Sequence, residues 1–184
     1  MFKHELFGRV LSGEKTQTRR LVKSKTPYNV HMYADGKAYE IVRTDDEGFE
    51  VDPIKYVNPR YDYDDVVYLK EPYYIEEDGT LKYQYKGDCI YDEKWKNKMF
   101  MPSECARSFI KITSVRLERL QDISEEDAMA EGISLPNYAY QAIDIVKYPE
   151  PSAIFQELWK SINGEESWND NPWVWVYEFE LIKE

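Results

Sequence analysis

FIKITSVRLERL, residues Phe109 to Leu120, is the stretch whose reading decides the fold. It is rich in β-branched and apolar residues, and neither glycine nor proline interrupts it, so it reads as one long strand. Its apolar parity changes along its length. Ile110 and Ile112 fall on even positions, whereas Val115 and Leu117 fall on odd ones. Successive side chains of a strand point to opposite faces. One core face can therefore be kept only if an extra residue is inserted near Thr113–Ser114. Such bulges are how closed or strongly bent sheets turn their corners, so a barrel-like sheet is expected.

Outward from this strand, Trp173 to Leu181, WVWVYEFEL, sets Trp173, Trp175, Tyr177, Phe179 and Leu181 on one face and Glu178 and Glu180 on the other. It reads as the closing strand, its aromatic face in the core. Val66 to Ile75, VVYLKEPYYI, is a third strand in which Pro72 marks an end, an edge or a bulge, because proline cannot donate to a ladder. Asp78-Gly79 predicts a hairpin turn into Leu81 to Tyr85, and Asp92 to Ser108 reads as a loop. Residues 27–60 look like an elaboration on the core, with turns at Asp35-Gly36 and Glu47-Gly48 and short strands at Lys37 to Arg43 and Phe49 to Val51.

Three helices are expected. His4 to Ser12 carries Leu6, Phe7, Val10 and Leu11 at three- and four-residue spacing and is ended by Gly13. A short helix starts at Ser124, whose side chain can cap Asp127, and stops at Gly132. Glu131 then stands in the last turn, where the helix dipole disfavours a carboxylate, which implies either exposure or a partner nearby. Pro151 to Ile162 turns Ile154, Phe155, Leu158, Trp159 and Ile162 inward and ends before Gly164. Strands of uneven length with short helices and no βα repeat predict an α+β fold, a small mixed β-barrel flanked by short helices. At 184 residues the chain is expected to form a single domain.

Composition narrows the function classes. Two cysteines, Cys89 and Cys105, are too few for a secreted disulfide scaffold and read as reduced thiols. The N-terminal MFKHELFGRVL lacks the apolar core of a signal peptide, and no stretch is apolar enough for a membrane span, so a cytoplasmic protein is expected. There is no GxGxxG or Walker loop, and His4 and His31 are the only histidines, so neither a dinucleotide cofactor nor a metal is expected. The net charge of −11 opposes indiscriminate binding to phosphate backbones. Residues 1–26, however, hold seven lysines and arginines against two glutamates, which leaves −16 on the remainder. The basic segment centres on GEKTQTRR, Gly13 to Arg20, too polar for the core and suited to attracting an anion or nucleotide.

These phrases, in this order, resemble those of the ASCH-domain proteins, a branch of the PUA-like superfamily, and especially the phage and prophage members. GEKTQTRR resembles the family's G-x-K-T-x-T-R signature. VVYLKE at 66–71 resembles a strand that follows a Gly-Asp pair and ends in Arg-Glu; here Asp64-Asp65 and Lys70-Glu71 stand at those places. The Met-Pro at 101–102 with Arg107, QDISEEDAMAEGI at 121–133, and FQELWKSING followed by NPWVWVYEF complete the match. The resemblance implies a PUA-like barrel with inserts at about 27–60 and 134–150, and a host cytoplasm if the chain is phage-encoded.

The resemblance also implies two functions. The first is binding of an RNA fragment or a nucleotide or modified nucleoside beside GEKTQTRR. Arg19, Arg20 and Lys23 would meet phosphates, Glu71 would accept a base amino proton, Lys70 and Arg107 would line the site, and Tyr74 or Trp95 would stack. The second is hydrolysis of an N-acylated cytidine, for which the family's catalytic positions fall on Lys15, Thr18 and Glu131. Thr18 would attack the acyl carbonyl, Lys15 would serve as base or oxyanion partner, and Glu131 would orient the lysine or pass a proton. In an extended strand Lys15 and Thr18 face opposite ways, so an irregular backbone is expected between Lys15 and Arg19. Arg19 and Arg20 have the alternative of pairing with carboxylates, and Glu71 that of a buried ion pair with Arg19 or Arg107. A third reading makes the tyrosine-rich inserts a surface for a host protein.

Overall fold

The computed structural model describes residues 4–22, 28–32, 39–44, 47, 49–56, 58–88, 95–134 and 149–182. The insert expected at 134–150 lies almost entirely outside the described residues, as do Cys89, Lys23 and the glycines of the turns expected at Gly36 and Gly48.

Helix α1 (His4–Ser12) buries Phe7 and Val10. Gly13 ends it at φ +80, its N–H donating to Val10 O at 3.1 Å. Next come β1 (Gln17–Leu21) and β2 (Tyr28–Met32), β3 (Tyr39–Thr44) and β4 (Glu50–Tyr56), which form their own antiparallel sheet in the order β2-β3-β4. The strand at 28–32 was not among those expected from the sequence. β5 (Val66–Tyr68), β6 (Tyr73–Ile75), β7 (Leu81–Tyr83) and β8 (Phe109–Arg119) follow, then α2 (Glu125–Ala130), α3 (Pro151–Asn163), α4 (Glu166–Asn169) and β9 (Trp173–Leu181).

The central sheet is antiparallel throughout, in the order β1-β9-β8-β5, and it curls. Its curl has the local cause that the parity change implies. Ile112 pairs with Phe179 and Ser114 with Glu178, so Thr113 is the extra residue of a bulge. Ile110 and Ile112 before it and Leu117 after it thereby share one core with Trp175, Tyr177, Phe179, Phe7, Val10 and Leu69. The other face of β9 is not solvated at every position. Val174 and Val176 are fully buried there against Leu120, Ile123, Ala128, Phe155 and Trp159. A mixed α+β fold with a curled antiparallel sheet and few short helices is the result.

One strand divides. Val66 to Ile75 becomes β5, paired with β8, and β6, paired with β7 in a separate two-stranded sheet. Pro72 stands immediately before β6; its carbonyl accepts Gln84 N–H at 3.1 Å while its ring nitrogen has nothing to donate. The hairpin turn expected at Asp78-Gly79 is present, with Gly79 at φ +87. Among the described residues no helix is long and apolar enough to cross a membrane.

Candidate functional site

β1 is an edge strand in register with β9, Thr18 opposite Tyr177 and Arg20 opposite Trp175. Strand alternation therefore divides the basic segment. Gln17 and Arg19 turn toward the helices, whereas Thr18 and Arg20 share the face of Trp175 and Tyr177. The irregular backbone expected between Lys15 and Arg19 is confined to Lys15 and Thr16, because pairing with β9 already makes the chain regular from Gln17. That short lead-in is held on three sides. Lys15 N–H donates to Arg9 O at 2.9 Å, Thr16 N–H donates to Ala130 O at 2.9 Å, and Thr16 O accepts Phe179 N–H at 2.8 Å.

These bonds set Lys15 against the end of α2. Its side chain is 2 % exposed, and Nζ donates to Glu131 Oε2 at 2.6 Å, Glu131 O at 2.6 Å and Gln17 O at 2.7 Å. Burial pushes the Lys15 ammonium below its ordinary lysine range; the charge and hydrogen bond of Glu131 oppose this, while Arg20 and Arg19 add to it. The carboxylate at the unfavourable end of a helix thus has its partner. Gly132 makes room for it: at φ +87, a Cβ there would lie 3.0 Å from Lys15 Cβ and 3.3 Å from Arg9 Cδ. Gly132→Ala is expected to destabilise the fold by about 1–3 kcal/mol, from the strained backbone and displaced lysine stem, as measured by urea melts.

Arg19, also 2 % exposed, is taken by carboxylates. Nη2 donates to Asp127 Oδ2 at 2.7 Å and Glu118 Oε2 at 3.1 Å, and Nη1 stands 3.5 Å from Glu131 Oε1. Its guanidinium carbon lies 5.9 Å from the centre of the Phe155 ring. Arg116, to which the sequence reading assigns no role, is the hub beside it. It donates to Glu118, Glu178, both oxygens of Asp127 and Gln17 Oε1. Burial raises the Asp127 carboxyl, but the hydrogen bond and charge of Arg19 and the charge of Arg116 outweigh it and hold the group below the usual range. The signal for Arg116 was present in the bulge, which puts positions 116 and 118 on the helix-facing side with Val174, Val176 and Glu178. In the same place Gln17 Nε2, Arg19 Nε and Nη1 and Glu131 Oε1 are enclosed without a hydrogen-bond partner among the described residues. Charge therefore holds this cluster as much as hydrogen bonding does.

On the opposite face of β1 the chemistry is more open. Thr18 is 8 % exposed, and its hydroxyl makes no hydrogen bond to another described residue. Arg20 is exposed; its Nη1 donates to Arg19 O at 2.8 Å, and its charge is felt by Lys15 and Tyr177. Tyr177 OH accepts Arg60 N–H at 2.9 Å, and Tyr61 packs edge-on against the Tyr177 ring with centroids 5.8 Å apart.

Glu71, Lys70 and Arg107 form a separate group by the β6–β7 hairpin. Glu71 is fully buried, and Arg107 grips it as a fork, Nε to Oε1 at 2.7 Å and Nη2 to Oε2 at 3.0 Å. Of the two partners open to Glu71, the structure selects Arg107. Lys70 donates to Met99 O at 3.1 Å and lies over the Tyr68 ring. Tyr74 and Trp95, the stacking candidates, are both half-buried. No hydrogen bond or ion pair among the described residues joins this group to Lys15 or Thr18. Among the described residues no cluster of three or more His, Cys, Asp or Glu side chains is arranged to hold a metal ion. Comparison of the chain with protein-family models, curated proteins and solved structures finds no match.

Proposed function

We propose that the chain is a PUA-like domain of the ASCH type that binds a single nucleotide or modified nucleoside on the β1 face carrying Thr18 and Arg20. The observation that carries this reading is the division of GEKTQTRR by strand alternation. Lys15 and Arg19 are buried among carboxylates, while Arg20 stays exposed on the face of the Thr18 hydroxyl and Tyr177. A cation, a hydroxyl and nearby aromatic rings suit one phosphate and one base. A long backbone is disfavoured, since Arg19 is neutralised and the whole chain carries −11. Asp64 supports the family assignment. It adopts φ +75, a conformation that glycine prefers, at the place where the resembled pattern has Gly before Asp.

A second reading, hydrolysis of an N-acylated cytidine, is favoured by the depressed Lys15 and the Thr18 hydroxyl. As folded, the Lys15 ammonium directs its three N–H groups at Glu131 and Gln17, so it is neither a base nor an oxyanion donor. A substrate that drew the Glu131 carboxylate away would leave a desolvated lysine readier to lose its proton to solvent and then accept one from Thr18.

Titration of cytidine, CMP and N4-acetylcytidine, with acetate release followed in parallel, tests both. Saturable binding weakened about tenfold by Arg20→Gln, without turnover, is the expected result. Acetate release abolished by Thr18→Ala would replace binding with hydrolysis, and no binding of any of the three at low salt would overturn the proposal.

A further inference from the structure

We infer that the turn Lys98–Phe100 is a second nucleic-acid contact, a stacking post for one base of a single strand whose phosphates meet Lys70 and Lys96; this extends the nucleotide reading of β1. Met99 is 61 % and Phe100 79 % exposed. The turn that carries them is fixed. Asn97 accepts Met99 N–H on its side chain at 2.9 Å, Phe100 N–H donates to Asn97 O at 3.0 Å, and Met101 N–H donates to Lys98 O at 3.2 Å. Met101, next in the chain, is 1 % exposed in the small core with Tyr73, Tyr83 and Cys105 and anchors the turn from below. A single exposed apolar side chain needs no explanation, but two neighbours presented by a braced turn with a lysine bonded to its backbone do.

The cations are also held in place. Lys70 lies 5.2 Å from the Tyr68 ring centre, Lys96 5.6 Å from Tyr73, Lys98 5.5 Å from Tyr85 and Arg107 5.1 Å from Tyr83. Lys70 Nζ donates to Met99 O, which sets its charge directly beside the tip. The rings beside Lys70 and Lys96 orient those two side chains without neutralising them, whereas Arg107 is paired with Glu71 and Lys98 donates to Tyr85 OH at 3.0 Å. Fixed lysines beside a turn that exposes an aromatic are what a single strand requires, with phosphates on the cations and a base on the ring. A protein partner would suit Met99 and Phe100, which interfaces favour, but not Lys70 and Lys96 beside them, which interfaces avoid. A membrane fits less well too, since two apolar side chains are far less than an amphipathic face. In a duplex the base faces are stacked on one another and cannot reach Phe100.

The test is fluorescence anisotropy of the full chain with a labelled single-stranded RNA of about ten nucleotides at low salt, alongside CMP. The strand is expected to bind more tightly than CMP. Phe100→Ala is expected to weaken the strand about tenfold and Phe100→Trp to restore it, with CMP unaffected by either. Lys70→Gln with Lys96→Gln is expected to lower the salt dependence by about the equivalent of two phosphate contacts. CMP binding with no gain for the strand would overturn this inference and leave the β1 site standing. Failure of both ligands would overturn both. Strand binding that depends on Phe100 without CMP binding would keep the turn and remove the β1 site. Anionic vesicles or the matching duplex binding as tightly as the strand, with the same sensitivity to Phe100, would overturn the single-strand assignment.

Discussion

Glu131→Ala is expected to destabilise the protein by about 3–5 kcal/mol at pH 7, enough to approach the whole stability of an ordinary domain. The substitution removes the charge opposite an ammonium that is 2 % exposed, and its bonds to Gln17 O and Glu131 O supply no charge in its place. Arg19 and Arg20, which already lower it, then act on it with the opposing Glu131 charge gone. The loss has a ceiling, because a stranded lysine can give up its proton. From an ordinary value of about 10.4, neutralising it at pH 7 takes no more than about 5 kcal/mol.

The pH dependence follows from the same group. Lys15 is depressed in the fold, so between that lowered value and about 10.4 the unfolded chain binds more protons than the folded one, and stability contributed by this site rises with pH. Glu131→Ala deepens the depression and widens the window downward. Its deficit against wild type should therefore shrink as pH rises from the variant's lowered Lys15 value to the wild type's, as followed by urea melts across the neutral and alkaline range. Lys15→Met combined with Glu131→Leu removes both charges and should recover most of the loss. A Glu131→Ala variant within about 1 kcal/mol of wild type would show that Lys15 and Glu131 do not form a buried pair.

Arg107→Met is expected to cost about 3–5 kcal/mol, whereas Glu71→Gln costs about 1 kcal/mol. The asymmetry comes from burial. The Glu71 side chain is 1 % exposed and loses both of its hydrogen bonds when Arg107 goes, whereas Arg107 is 27 % exposed and still lies over the Tyr83 ring when Glu71 is neutral. Water can hydrate the arginine but not the carboxylate. Denaturant melts of the two single variants give the answer, and equal losses, or a larger loss for Glu71→Gln, would contradict this account of the site.

Much of the frame was legible before any coordinates. The parity change in FIKITSVRLERL placed a bulge near Thr113–Ser114, because a strand that keeps one apolar face needs an extra residue there, and the register on β9 makes that residue Thr113. Ser124 caps α2 through Asp127 N–H at 3.1 Å, as its place before three acidic residues implied. Pro72 was read correctly as a disturbance, yet that two separate sheets would take up the halves of VVYLKEPYYI depends on partners distant in the chain.

The site was legible as a set of residues and not as an arrangement. GEKTQTRR by itself determines a basic, polar segment that leaves a helix at Gly13. Which of its cations meets solvent was decided by the register of β1 on β9, which sends Arg19 toward Asp127 and Glu118 and Arg20 the other way. The sequence also marked Glu131 as a carboxylate at the wrong end of a helix, and only the packing of α2 beside the Lys15 lead-in named its partner. Period and capping are properties of neighbouring residues, so they can be read along the chain. Ion pairing joins Lys15 to Glu131 and Arg107 to Glu71 across long separations, and among many carboxylates only the folded geometry selects the one that comes within reach.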